Sequence, residues 1–143
     1  MIHLQLITLS GSLVDEDIFE LMVPTTAGTI AINEDHAPLL GAVAPGILSI
    51  RYKKETVGDN RDQYGVYNGT VEVLNNNISV LVDEVDTPDD VVVHDAETAL
   101  KHAQALKEKA GDALSIADAQ AMMDRQAVRL KLAGIRKGSK KRY

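Results

Sequence analysis

The sequence predicts a β-sandwich or barrel followed by an antiparallel pair of α-helices. Three observations predict this. Short segments that alternate apolar and polar residues, separated by turn residues, fill the first part of the chain. Near residue 95 the apolar spacing changes from every second residue to the i, i+3, i+4, i+7 spacing of a helix. The connection between the two helical stretches is only a few residues, which folds them back on each other.

The strands come first. Ile2, Leu4 and Leu6 alternate with His3 and Gln5, as in a strand with one buried face. Ile47-Leu48-Ser49-Ile50-Arg51-Tyr52 predicts another strand, as do Thr70-Val71-Glu72-Val73-Leu74 and Ile78-Ser79-Val80-Leu81-Val82. Asn75-Asn76-Asn77 lies between the last two. Asn tolerates positive φ, so this triplet predicts a hairpin turn. Gly58-Asp59-Asn60 predicts a second turn, between Tyr52 and Tyr64, and breaks are expected at Gly28, Pro38, Pro45-Gly46 and Asn68-Gly69. Many short strands at this spacing argue for a sandwich or barrel over residues 1–86.

Residues 87–94, with Pro88, Asp89 and Asp90, read as an acidic linker rather than a calcium loop, whose D-x-[DN]-x-[DN]-G spacing is absent. Residues 95–143 read as the helical hairpin. Ala96, Ala99, Leu100, Ala103, Leu106 and Ala110 form one apolar stripe, with Asp95 as cap. Gly111-Asp112 breaks the helix, and Ser115-Ile116-Ala117-Asp118 has the pattern of a capping box that opens a second one. Its stripe is Ile116, Ala119, Met123, Ala127 and Leu130, with Gly134 and Gly138 bracketing its end. Alanine on both stripes lets the helices approach closely but buries little area, so the hairpin is expected to be held less strongly than the β part.

Composition narrows the function. The chain has 143 residues, 45% hydrophobic, with 3% aromatics and no Cys. The core must be aliphatic, and disulfides, thiolate nucleophiles and Cys-ligated zinc are excluded. No apolar run approaches the ~20 residues needed to cross a bilayer. Met1-Ile2-His3-Leu4-Gln5 lacks the basic region of a signal peptide, so membrane association is expected only through a partner. Residues 1–94 carry four Lys/Arg against fifteen Asp/Glu, and residues 95–143 carry eleven against six. That contrast suggests two parts with different partners. The tail Arg136-Lys137-Gly138-Ser139-Lys140-Lys141-Arg142-Tyr143 reads as a solvated end rather than a nucleic-acid or lipid patch.

Catalytic and metal motifs are missing. His3, His36, His94 and His102 show no i, i+4 pairing or H-E-x-x-H, and there is no G-x-S-x-G, P-loop or G-x-G-x-x-G. The absence of these motifs shifts weight toward a binding or mechanical role, and no metal and no cofactor are expected.

One ordered set of motifs is more specific. Gly28-Thr29-Ile30-Ala31-Ile32-Asn33-Glu34-Asp35 leads into His36-Ala37-Pro38-Leu39-Leu40, and then into Pro45-Gly46-Ile47-Leu48. This is similar to the H-A-P-L-L…x-P-G signature of the ATP synthase ε family. Tyr67-Asn68-Gly69-Thr70-Val71-Glu72-Val73 resembles that family's S-G-G-x-[LV]-E-V strand, and Ile78-Ser79-Val80-Leu81-Val82-Asp83 resembles its V-T-V-L-A-D strand.

The resemblance implies a ten-stranded β-sandwich and two helices, in a non-catalytic central-stalk subunit of a proton-translocating F-type ATP synthase. The sandwich would dock on the gamma subunit and on the membrane rotor ring of c subunits. The hairpin would lie folded, or extend toward the catalytic beta subunit and inhibit hydrolysis. Such a subunit sits peripherally at the cytoplasmic face of the cell membrane, with no nucleic-acid partner.

The resemblance also implies the candidate site residues. Thr29, Glu34, Asp35, His36 and Pro38 match the interface loop, with Thr29 where the family usually has Glu. His36-Ala37-Pro38 also reads as a plain proline-fixed turn. His94-Asp95-Ala96-Glu97-Thr98-Ala99 matches the nucleotide motif [IL]-D-x-x-R-A only at Asp95 and Ala99. Thr98 replaces the arginine that would grip phosphate, so an ATP-sensing role is not expected. Arg125, Arg129, Lys131 and Arg136 form the candidate inhibitory basic face. The alternative outside the family is a free-standing β-sandwich binding module with a helical oligomerisation tail, but it lacks the exposed aromatics such modules present to sugars.

Overall fold

A computed structural model describes residues 1–54, 61–90 and 93–140, apart from the side chains of residues 113 and 136–140. The turn expected at Gly58-Asp59-Asn60 and the last three residues of the basic tail lie outside the described residues. Two compact units are present, Met1–Val85 and Asp86–Tyr143.

The first unit is a ten-stranded sheet curled into a sandwich. Its strands are β1 (Ile2–Thr8), β2 (Gly11–Ile18), β3 (Glu20–Thr25), β4 (Gly28–Asn33), β5 (Leu39–Val43), β6 (Gly46–Arg51), β7 (Asp62–Val66), β8 (Gly69–Leu74), β9 (Asn77–Val82) and β10 (Val85–Asp86). Their order is β10-β7-β6-β3-β5-β8-β9-β1-β2, with β4 alongside β3. The corner is β3: Glu20–Met22 pair with β6, while Thr25 pairs with Val43 of β5. One strand thereby joins both layers. β1 and β9 run parallel, with His3 opposite Asn77.

The alternation expected for β1 is realised, since Ile2, Leu4 and Leu6 are fully buried. They meet Leu21, Val23, Leu48, Ile50, Val71, Val73, Ile78, Val80 and Val82 in an all-aliphatic core. Each such side chain contributes about 1.5–3 kcal/mol on full burial.

Asn75 (φ 50°) and Asn76 (φ 60°) make a two-residue turn, with Leu74 paired to Asn77. This left-handed pair matches the twist of the flanking strands. Gly69 is fixed for a different reason. A Cβ there would lie 2.0 Å from the Leu81 carbonyl oxygen, because β9 passes directly against it.

The second unit holds a 3-10 turn (Pro88–Asp90) and two helices, α1 (Val93–Lys109) and α2 (Ala113–Lys140). Lys107 Nζ donates to Gln120 Oε1 near the connection, while Arg129 reaches Asp90 ahead of α1, so the helices are antiparallel. Several details differ from expectation. α1 starts two residues early, which puts Asp95 in its first turn, where it still favours the helix dipole. The cap of α2 is Asp112: its Oδ1 accepts from Ser115 N at 2.7 Å, so Ser115 occupies the third helical position instead of the cap. These hydrogen bonds hold the Asp112 carboxyl below its ordinary pKa.

The buried face of α2 is also rotated. Ala119, Val128, Leu132 and Ala133 are buried, while Ile116 and Ala127 are exposed. Gly134 and Gly138 do not stop the helix, which runs to Lys140. In α1, Ala96 and Ala103 are buried as expected, but Leu106 is exposed.

Candidate functional site

The five candidate interface residues fall at two ends of the sandwich. β4 pairs Thr29 with Pro24 next to the β3–β4 turn, and Asn33 with Glu20 at its far end. Thr29 is therefore separated from Glu34, Asp35, His36 and Pro38 by the length of the strand, about 13 Å at 3.3 Å per residue. Glu34 and Asp35 therefore bring no charge to the position of Thr29.

The loop 34–38 is a built turn. Asp35 is left-handed (φ 62°) and is held by Asn76 from the β8–β9 turn. Asp35 N donates to Asn76 Oδ1 at 2.6 Å, and Asn76 Nδ2 donates to Asp35 Oδ1 at 3.1 Å. Glu34 Oε1 lies 3.0 Å from the α-amino group of Met1. His36 N donates to Asn33 O at 3.3 Å, and its Nδ1–H donates to Ala37 O at 2.7 Å. Both carboxylates and one imidazole nitrogen thus have internal partners. Pro38 and, two residues on, Leu40 face outward, with Leu40 76% exposed. Sequence reasoning missed Leu40, because the register that turns it outward, opposite Glu72, is set by β8.

A second cluster also escaped the sequence reading. His3 Nε2 lies 2.6 Å from Asp15 Oδ1, and its Nδ1 lies 2.9 Å from Asp17 Oδ1. The paired carboxylates, Asp17 first, raise the His3 pKa above its ordinary value. The only sequence signal was Asp15 and Asp17 at i, i+2, meaningful once β2 is known to pair with β1. Nearby, Met1, Glu16, Asp17, Tyr52, Lys53 and Asp62 line an open cleft of about 450 Å³. Burial, and then Asp62, push the Tyr52 and Tyr64 phenols upward in pKa. The cleft offers the carboxylates of Glu16, Asp17 and Asp62, the Tyr52 phenol and the Lys53 amine. Among the described residues no three His, Asp or Glu side chains converge as a metal site.

At the start of α1, Asp95 and Thr98 are exposed and Ala99 is half-buried. The Thr98 hydroxyl donates to His94 O at 2.9 Å, a bond along the helix that leaves no cation at the place of the motif's arginine.

The basic residues of α2 do not form one open face. Arg129 turns inward, with Nε 3.6 Å from Asp86 Oδ2 and an Nη donating to Asp90 O at 3.4 Å. Arg125, one turn earlier, is half-buried and also engaged. Lys131 is exposed, and the side chain of Arg136 lies outside the described residues. No helix of the described residues is long and apolar enough to cross a membrane.

The described residues define a class of protein by architecture: a β-sandwich followed by a helical hairpin. The beta-sandwich domain of the ATP synthase delta/epsilon chain matches residues 1–88. The chain is 30% identical to the ATP synthase epsilon chain of Solibacter usitatus (strain Ellin6076), over 92% of this chain and 93% of that one. It is also 30% identical to the epsilon chain of Chloroflexus aggregans, over 95% and 94%. A chain in the mitochondrial ATP synthase of Euglena gracilis (OSCP/F1/c-ring) superposes with a TM-score of 0.79 at 19% identity, over 92% of this chain and 80% of that chain. A chain of the Tetrahymena thermophila central stalk/c-ring assembly superposes at 0.59 and 16% identity, over 90% and 93%. These two show the shared fold. The chain belongs to the ATP synthase epsilon chain family.

Proposed function

We propose that the protein is the non-catalytic central-stalk subunit of an F-type ATP synthase, joining the gamma subunit to the ring of c subunits at the cytoplasmic face of the cell membrane. The observation that carries this reading is likeness to epsilon chains across sandwich and hairpin together, not across the sandwich alone. The sandwich has a closed aliphatic core and is the docking module. Its end bearing Pro38 and Leu40 and its opposite end bearing Thr29 offer separate surfaces, suited to two different partners. The hairpin is the regulatory arm. Its few buried side chains, four of them alanine beside Val128 and Leu132, hold it less firmly than the sandwich, and its basic side chains suit an acidic surface on the catalytic beta subunit once it extends.

The test is reconstitution. The full chain is mixed with a gamma-containing catalytic core lacking this subunit, and co-elution and ATP hydrolysis are measured. Stable co-elution with lowered hydrolysis is expected. A folded chain that never co-elutes would sink the docking role, and co-elution without any effect on hydrolysis would remove the inhibitory arm alone.

A further inference from the structure

The acidic segment ahead of α1 is fastened to the middle of α2. Asp86, at one end of this segment, places Oδ2 3.6 Å from Arg129 Nε. Asp90, at the other end, offers its carbonyl oxygen to an Arg129 Nη at 3.4 Å. The segment between them is stiffened by its own bonds. Thr87 N donates to Asp90 Oδ2 at 3.0 Å, and Asp90 N donates to Thr87 O at 3.1 Å. The Asp90 side chain therefore closes the turn while its backbone takes the arginine. Both charged partners are largely covered, with the Arg129 side chain 28% exposed and that of Asp86 21%. Arg129 Nε is buried with no hydrogen bond of its own, so the Asp86 carboxylate beside it is what offsets the cost of burying that charge.

We infer that Arg129 is a buckle that clamps residues 86–90 onto α2, so that the stretch leaving β10 is not a slack tether. While the buckle is closed, the guanidinium is occupied inside the chain and is withheld from any acidic partner surface. Opening frees the arginine and unfastens residues 86–90 from α2. The functional sense of this device rests on the extending arm proposed above; its existence does not.

The test uses amide hydrogen exchange by NMR on the free, full-length chain. Arg129→Gln is expected to speed exchange at Thr87 and Asp90 about fivefold, the scale of one partly exposed ion pair. Lys131→Gln removes the same charge from an exposed position two residues away and is expected to leave both amides unchanged. A turn held only by its local bonds would not respond to a side chain 39 residues away in sequence. Arg129→Met keeps most of the aliphatic stem and carries the test if Arg129→Gln loosens α2, as read by circular dichroism. Unchanged exchange at Thr87 and Asp90 in an Arg129 variant with intact helices overturns the buckle, as does an equal acceleration by Lys131→Gln. Because the chain is measured alone, the result is independent of whether the arm inhibits hydrolysis.

Discussion

Replacing Gly69 with alanine would place a methyl carbon 2.0 Å from the Leu81 carbonyl oxygen and 2.8 Å from Val82 Cγ1. Non-bonded carbon contacts are favourable only at about 3.5–4.0 Å, so β8 and β9 must part where Gly69 faces Val82. Overpacking of this kind costs about 1–3 kcal/mol, and one lost ladder hydrogen bond adds about 1 kcal/mol. The alanine recovers about 0.4–1 kcal/mol by restricting the unfolded chain. Gly69→Ala is therefore expected to destabilise the sandwich by about 2–3 kcal/mol.

Gly41→Ala is the matched control. There the new methyl meets only Val71 Cγ1, at an ordinary 3.5 Å, so the same restriction should make the change neutral or stabilising by up to about 1 kcal/mol. Urea unfolding followed by tyrosine fluorescence reports on the first unit, because Tyr52, Tyr64 and Tyr67 lie there and only Tyr143 does not. With a slope of about 1.5 kcal/mol per M, the two midpoints should differ by about 2 M. Coincident midpoints would refute the close approach of β9 to Gly69.

Four further outcomes are expected. His3→Gln should flatten the pH dependence of sandwich stability: the raised His3 pKa means its contribution is fully present below its ordinary value of 6.5 and is lost as pH rises through the folded value, a trend that melting scans from pH 5 to 9 would track. Asp112→Ala should speed amide exchange at Ser115 at neutral pH; because the Asp112 pKa is depressed, its contribution is present above the ordinary carboxylate pKa and is lost as pH falls through the folded value, so the two proteins should converge in acid. Millimolar ATP should leave the melting temperature unchanged, since Thr98 donates to His94 O and brings no charge; a rise approaching the ~2.7 kcal/mol expected at a hundred times the dissociation constant would contradict this. Deleting residues 87–143 should raise ATP hydrolysis by the assembled enzyme, and an unchanged rate per complex would argue that the hairpin is only a brace.

What was legible in the sequence were the elements whose pattern is set locally. β1, β8 and β9 alternate cleanly, β6 is a short apolar run, and both helices announced themselves by apolar spacing. β2 did not, because Asp15, Glu16 and Asp17 are all exposed, and only Val14 and Ile18 mark its buried side. Its identity as a strand comes from β1, which is tertiary information. The cap of α2 was misplaced for a related reason. Asp112 and Ser115 are both good capping residues, and the choice between them was made by where the connection from α1 ends.

The candidate site was legible only as a set of residues. Sequence identified Glu34, Asp35, His36 and Pro38 but not that Asn76, 41 residues away, holds Asp35 in place. It grouped Thr29 with them, although a whole strand intervenes. It read Arg125 and Arg129 as one exposed charge, since the acidic segment looked solvated. Its return onto α2 depends on where the chain leaves the last strand.

The parallel pairing of β1 with β9 has a consequence for how the molecule is made. β1, set between β9 and β2, waits for a neighbour synthesised roughly seventy residues later, which makes the closure a contact of high sequence separation. Until β9 has left the ribosome, Leu4 and Leu6 lack the side chains of Ile78 and Val80 against which their strand is registered. The helical hairpin has no such delay, since α1 and α2 meet across a short turn and pair almost as soon as they exist. The sandwich is thus the slower unit to form although it holds the larger core, and an arrest of synthesis before residue 77 would leave an open, aliphatic sheet exposed to aggregation and chaperone capture.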